Sequence, residues 1–238
     1  IITDNKAELK SCKWNPGIYK IFDEILVNAA DEVQRNKSVK SIKIKIENDE
    51  ISIFNDSGIP IEIHPEYKVY IPELIFANLL TSSNYDDSQK RTTGGLNGLG
   101  AKLTAIFSEY FTIETAKDGK KYTQTFEKNL SKINKPKIST CKSEYTKITF
   151  KPDFEKFGTT GITDNTIDIL NKRVFDICAI TNKDVSVYLN DKKLTIKDFS
   201  EYISAYIGPK KICPRVVQET TRWQGGIAPS DSGFQCIS

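Results

Sequence analysis

The 238-residue sequence predicts an α+β fold, a two-layer sandwich in which a mixed and mostly antiparallel sheet carries helices on one face. Three patterns lead there. Ile18 to Arg35 holds apolar residues at Ile18, Ile21, Phe22, Ile25 and Ala29, the stripe of an amphipathic helix. Ser41 to Glu47 alternates strictly, with Ile42, Ile44 and Ile46 on one side and Lys43, Lys45 and Glu47 on the other. Further strand-like runs and helical segments follow in an irregular order, which implies a mixed, mostly antiparallel sheet with helices on one face.

The first helix is expected to start at the Pro16-Gly17 punctuation. At about 100° per residue, Glu24, Asn28 and Asp31 share one face beside its apolar stripe. That edge is where a pocket wall stands, and Asp31 is expected to support the wall. Ile51-Ser52-Ile53 resumes the alternation after Asn48-Asp49, so the pair reads as an antiparallel hairpin covered on one face. Asn55-Asp56-Ser57-Gly58 is a loop running to Pro60, and Pro72 to Leu80 a helix with proline in its first turn. Thr81 to Gly100 is long, polar and glycine-bearing, with the character of a lid.

A helix is expected from Leu99 to Tyr110, then strands at Phe111 to Ala116, Lys121 to Glu127 and Thr146 to Lys151, the first two joined by a turn at Lys117 to Lys120. Asp164 to Thr181 reads as helix, Val185 to Leu189 with Lys193 to Ile196 as a short hairpin, and Lys197 to Ile207 as the last helix. Gly208-Pro209 marks a boundary, which divides the chain into residues 1–207 and 208–238. From Thr221 a further β-rich unit is expected to open.

Composition narrows the chemistry. With 38% hydrophobic and 27% charged residues the chain is an ordinary globular one, and no run is long enough to span a membrane. The net charge of +3 is too balanced to announce a DNA-binding surface by itself. Cys12, Cys141, Cys178, Cys213 and Cys236 lack CxxC spacing, and only His64 could join them, so zinc sites and Cys/His catalysis are excluded. The cysteines are expected to be reduced and mostly buried, and His64 to lie in a surface loop. One histidine also argues against a Ser/His/Asp triad, which leaves carboxylates and lysines to do the chemistry. The absence of methionine, even at position 1, suggests that the natural start is missing.

Four glycines in seven residues, Gly94, Gly95, Gly98 and Gly100, run into Lys102 at the head of a helical pattern. Glycine lets backbone N–H groups approach an anion closely, and a lysine adds a cation. This is a phosphate cradle of neither common type. A P-loop would need Ser or Thr where Leu103 stands, and no strand leads directly into the glycines as a Rossmann fingerprint requires.

These polar islands, in this order, resemble the nucleotide-binding fold of gyrase, the heat-shock chaperone ATPase, histidine kinases and the mismatch-repair MutL family. Within that superfamily, Tyr19 to Asp31, Leu79 to Asp87 and Thr93 to Leu103 are similar to the ATPase domain of the eukaryotic-type DNA topoisomerase II family, and the resemblance extends over nearly the whole chain. It implies a Bergerat-type ATP-binding fold with the start of a transducer domain after residue 207. It also implies ATP and Mg²⁺ as cofactors. Glu24 takes the place of the catalytic general base, Asn28 that of the Mg²⁺ and ATP ligand, and Asn55 that of the reader of the adenine amino group. Ser82, Ser83 and Asn84 match ribose and phosphate contacts. Gly95, Leu96, Asn97, Gly98, Leu99, Gly100, Ala101 and Lys102 match the phosphate loop, and Thr149 a contact near adenine. The implied activity is that of an ATP-operated gate, in which two copies close around double-stranded DNA with no membrane involved, in the nucleus of a cell or in the cytoplasm or virion of a virus.

Three departures accompany the resemblance. Asn55 to Gly58 is one residue short and has lost a glycine of the family's adenine loop. Leu96 and Leu99 stand for an arginine and a tyrosine usual in the phosphate loop. The arm that crosses to a partner subunit and the transducer lysine that reaches the γ-phosphate are not in the sequence. The expected consequence is a chain that binds nucleotide better than it cleaves it. Other ATPases of the superfamily are the first rival, opposed by the wording Ser82-Ser83-Asn84-Tyr85. A degenerate module of the same fold without efficient hydrolysis is the second, favoured by the short loop and opposed by Glu24, Asn28 and Lys102.

Overall fold

The computed structural model describes residues 1–3, 6–77, 99–181, 183–196, 198–220, 223–230 and 233–234. A short hairpin of β1 (Ile2–Thr3) and β2 (Lys6–Ala7) precedes α1 (Pro16–Arg35), whose start is set by Asn15. The Asn15 Oδ1 accepts from the N–H groups of Gly17 and Ile18 at 3.0 and 3.1 Å, so two N–H groups without helical partners are satisfied. Pro16 at the first helical position needs no N–H there, as its place in the sequence predicts.

β3 (Ser41–Glu47) and β4 (Glu50–Asn55) pair antiparallel across Asn48 and Asp49, which both take positive φ as a two-residue hairpin turn requires. α2 (Ile71–Ala77) follows; the rest of that predicted helix and residues 81–98 of the expected lid lie outside the described residues. α3 spans Gly100–Ile106 and stops short of the predicted Tyr110. Ser108 instead opens β5 (Ser108–Lys117), since Phe111, Ile113 and Thr115 alternate into the core. The Ser108 hydroxyl donates to the Thr104 carbonyl at 2.6 Å and closes the helix end.

β6 (Lys120–Glu127) returns antiparallel to β5, followed by β7 (Lys132–Ile133) and β8 (Lys137–Thr140), two short additions on β6 that the sequence reading did not include. Next come β9 (Tyr145–Pro152), α4 (Asp164–Ile180), β10 (Ser186–Leu189), β11 (Lys192–Lys193) and α5 (Phe199–Ile207). A separate hairpin of β12 (Val216–Glu219) and β13 (Gln224–Ile227) ends the described chain, so pairing starts at Val216 and not at Thr221.

The main sheet runs β11-β10-β3-β4-β9-β5-β6-β7, with β8 also on β6. Its β10–β3 pair is parallel and the other pairs are antiparallel, the mixed sheet that the patterning predicts. Ile42, Ile44, Ile51, Ile53, Phe111, Ile113, Ile148 and Phe150 cover one face and pack with Ile21, Phe22, Ile25 and Leu26 of α1 and Leu170, Val174 and Ile177 of α4. The opposite face presents Lys43, Lys45, Ser52 and Lys147. Burying each large aliphatic side chain of the first face contributes roughly 1.5–3 kcal/mol, which makes the helix-covered face the seat of stability.

Candidate functional site

Helix α1 carries the site's acidic stripe because its position is fixed from several sides. The Asp23 carboxylate accepts from Arg173 Nε of α4 at 2.7 Å, and the Thr104 hydroxyl of α3 donates to the Ile21 carbonyl at 2.9 Å. Next to those anchors Glu24 faces the first residue of α3. A Cβ placed on Gly100 would lie 1.7 Å from Glu24 Oε2, so the carboxylate occupies the space that only glycine leaves open. Lys20, one turn earlier, pairs with Glu24, and this contact raises the lysine pKa above its ordinary value. Asn28, one turn later on the same face, is exposed.

Lys102 is fully buried on α3, and burial lowers its pKa from the ordinary lysine value. Leu99, Gly100 and Ala101 lead into it beside Glu24. Ser82, Ser83, Asn84, Gly95, Leu96, Asn97 and Gly98 lie outside the described residues. The structure therefore brings together Glu24, Gly100 and the lysine-bearing helix.

The Asn55 loop is tethered at every residue. The Asn55 side-chain oxygen accepts from Ser57 N–H at 3.1 Å, and the Asp56 carboxylate accepts from the N–H groups of Lys40 and Ser41, both at 3.0 Å. The Ser57 hydroxyl donates to Glu32 of α1 at 2.7 Å while accepting from Asn36 Nδ2 at 3.2 Å. Its carbonyl accepts from the Thr146 hydroxyl at 2.7 Å. Gly58 abuts β5 so closely that a Cβ there would lie 2.0 Å from the Ala116 carbonyl oxygen. The loop is thus a closely held one.

Sheet parity corrects one placement. Asn55 faces the helix layer, as do Ile51 and Ile53, and Thr146 sits directly opposite it on β9. Thr149 is three residues further along β9, pairs with Ser52 and Thr112, and projects from the opposite face. The strand geometry thus removes Thr149 from the neighbourhood of Asn55 and puts buried Thr146 there. Glu32 and Thr146 were not singled out in the sequence and Ser57 only as part of the Asn55 loop, although the i, i+4, i+8 spacing of Glu24, Asn28 and Glu32 was available to find the first.

Other residues behave as parts of the frame. Asp31 is buried, and His64 accepts at Nδ1 from the N–H groups of Glu66 and Tyr67 in a turn. Among the described cysteines only Cys178 is buried, its thiol pushed up to about 12 by burial, while Cys12, Cys141 and Cys213 are half-buried and free. This corrects the expectation that most would be interior. A cleft of about 580 Å³ beside Lys6, Glu201 and Tyr206 borders none of the described nucleotide-site candidates.

Among the described residues no three His, Cys, Asp or Glu side chains gather into a metal cage. The donor set suits a cation that arrives with its own oxygens, because Mg²⁺ keeps waters and phosphate ligands and needs only one or two from the protein. The side-chain carbonyl of exposed Asn28 on α1 is an oxygen of that type.

No family model matches the chain. DNA topoisomerase 2 of Meyerozyma guilliermondii is 49% identical over 246 aligned residues, covering 94% of this chain and 18% of that protein. The ATPase region of Saccharomyces cerevisiae topoisomerase II superposes with a TM-score of 0.85 at 46% identity, covering 91% of this chain and 59% of the solved one. The ATPase and transducer domains of the Balamuthia mandrillaris enzyme give 0.86 at 41% identity, covering 94% and 59%. The chain spans under a fifth of the length of the curated relative and about three-fifths of the solved ones.

Proposed function

We propose, for a chain that belongs to the ATPase region of the eukaryotic-type DNA topoisomerase II family, that it binds ATP with Mg²⁺ and hydrolyses it as the gate of a type II topoisomerase. The observation that carries this reading is the stripe along α1. Its Glu24 end lies against Gly100 and the lysine-bearing helix, and about 12 Å away at 1.5 Å per residue its far end meets the Asn55 loop. That is the span of a nucleoside triphosphate laid along the helix, with phosphates at Glu24 and base at Asn55.

In this arrangement Lys102 holds phosphate oxygen, and Asn28 offers its carbonyl to Mg²⁺, which when bound neutralises charge on the phosphates. Glu24 takes a proton from the attacking water as its oxygen bonds to the γ-phosphorus. The bond from that phosphorus to the bridging oxygen breaks and ADP leaves with the electron pair. Asn55 reads the amino group of adenine, with Thr146 beside it in place of Thr149. Ser82, Ser83, Asn84 and Gly95 to Gly98 complete the ribose and phosphate contacts.

At the level of the whole enzyme, ATP binding closes two copies into a homodimer around a DNA duplex in the nucleus, and residues 208–238 begin the transducer. Among the described residues no helix is long and apolar enough to cross a membrane. Kinship at this identity does not favour the degenerate, non-hydrolysing module.

Glu24→Gln tests the reading. The amide keeps the shape but cannot accept the proton, so nucleotide affinity is expected to hold while hydrolysis falls by roughly 10²- to 10⁴-fold. Phosphate release at the parental rate would assign the base to another group.

A further inference from the structure

We propose that Glu32 is a positioning residue for base selection, acting through Ser57 on Asn55. The inference rests on the reading that this site binds ATP, and it goes beyond it by assigning what sets the preference for a 6-amino purine. Glu32 lies two turns beyond Glu24 on the same face of α1 and is half-buried.

The directions of the hydrogen bonds around Ser57 are settled by chemistry. Asn36 Nδ2 can only donate, so the Ser57 oxygen accepts there, at 3.2 Å, and its own proton goes to the Glu32 carboxylate, at 2.7 Å. Ser57 is buried, and its backbone is held on both sides: its N–H donates to Asn55 Oδ1 and its carbonyl accepts from Thr146. Glu32 thus anchors the residue whose N–H orients the Asn55 carboxamide.

With Oδ1 turned toward Ser57, one of its lone pairs is engaged and the second is left to accept from an exocyclic N–H. A 6-oxo purine would present an acceptor to that acceptor. Between Asn55 and Gly58 a side-chain brace from the neighbouring helix supplies rigidity that the few backbone contacts of the loop do not supply by themselves. The brace determines selectivity, because a carboxamide free to rotate by 180° presents N–H or C=O equally well to either base.

The test is equilibrium binding of ATP and of inosine triphosphate to the full chain and its variants. The parent is expected to prefer ATP. Glu32→Ala is expected to lower the ATP-to-inosine-triphosphate affinity ratio about five- to tenfold, the weight of one net hydrogen bond, with inosine triphosphate affinity changed by less than about twofold. Ser57→Ala should do the same, and the double variant should be no worse than either alone, as for residues acting in one chain. Glu32→Gln retains an oxygen acceptor for the Ser57 proton and should restore the ratio. If Glu32→Ala fails to fold, the ratio in Ser57→Ala decides. An unchanged ratio, or equal losses for both nucleotides, overturns the positioning role while leaving the ATP site standing. A parent chain that binds neither nucleotide removes the site reading and this proposal together.

Discussion

Gly100 and Lys102 sit two residues apart on α3 and carry opposite constraints. A glycine at the head of a helix normally gains up to about 1 kcal/mol when changed to alanine. Here the added methyl group would fall 1.7 Å from Glu24 Oε2, and overpacking of that kind costs about 1–3 kcal/mol unless the carboxylate swings away. Gly100→Ala is therefore expected to lower kcat at least tenfold with little gain in thermal stability. A more stable protein with unchanged turnover would separate Gly100 from the Glu24 position. Lys102 is buried with a pKa below the ordinary lysine value, and a bound triphosphate favours its charged form. Nucleotide affinity should be full below the pKa of the unliganded protein. It should fall as pH rises through that value and level off above the raised pKa of the complex. Titration of ATP binding across the alkaline range checks the sign, and the same arm should be missing from Lys102→Ala.

The loop at Asn55 shows how an element can be legible in outline and hidden in function. Gly58→Ala would bring a Cβ to 2.0 Å from the Ala116 carbonyl oxygen, backbone against backbone, where no side chain can move aside. A loss of about 1–3 kcal/mol is expected, read as a lower thermal midpoint, and an unchanged midpoint would mean that the loop and β5 are not so closely packed. The strands and helices around it were readable because their periods are strong: Ile42, Ile44 and Ile46 can face one way only, and the stripe of α1 leaves one buried side. The misplaced end of α3 has a local cause, since Ser108 closes the helix where propensity alone would carry it on. β7 and β8 are exposed along their length and leave no alternating signature. Thr149 was misplaced by a period-two error, which no composition signal can correct and which the β4–β9 register resolves at once. Glu32 escaped because its partner is Ser57, a contact across 25 residues.

For the molecule as a whole, one covered sheet face makes the α1 edge a rigid platform. The stripe from Glu24 to Glu32 crosses it between two elements that do not touch each other in sequence, α3 and the Asn55 loop. The function proposed for the chain depends on a triphosphate lying along that stripe. Calorimetric titration of the chain with ATP and Mg²⁺, beside Lys102→Ala, tests this directly. One saturable site per chain is predicted, weakened in the variant by about 1.5–3 kcal/mol, the weight of a charge-assisted hydrogen bond to phosphate. Absence of binding to the parent chain, or the same dissociation constant for the parent and Lys102→Ala, would contradict the account.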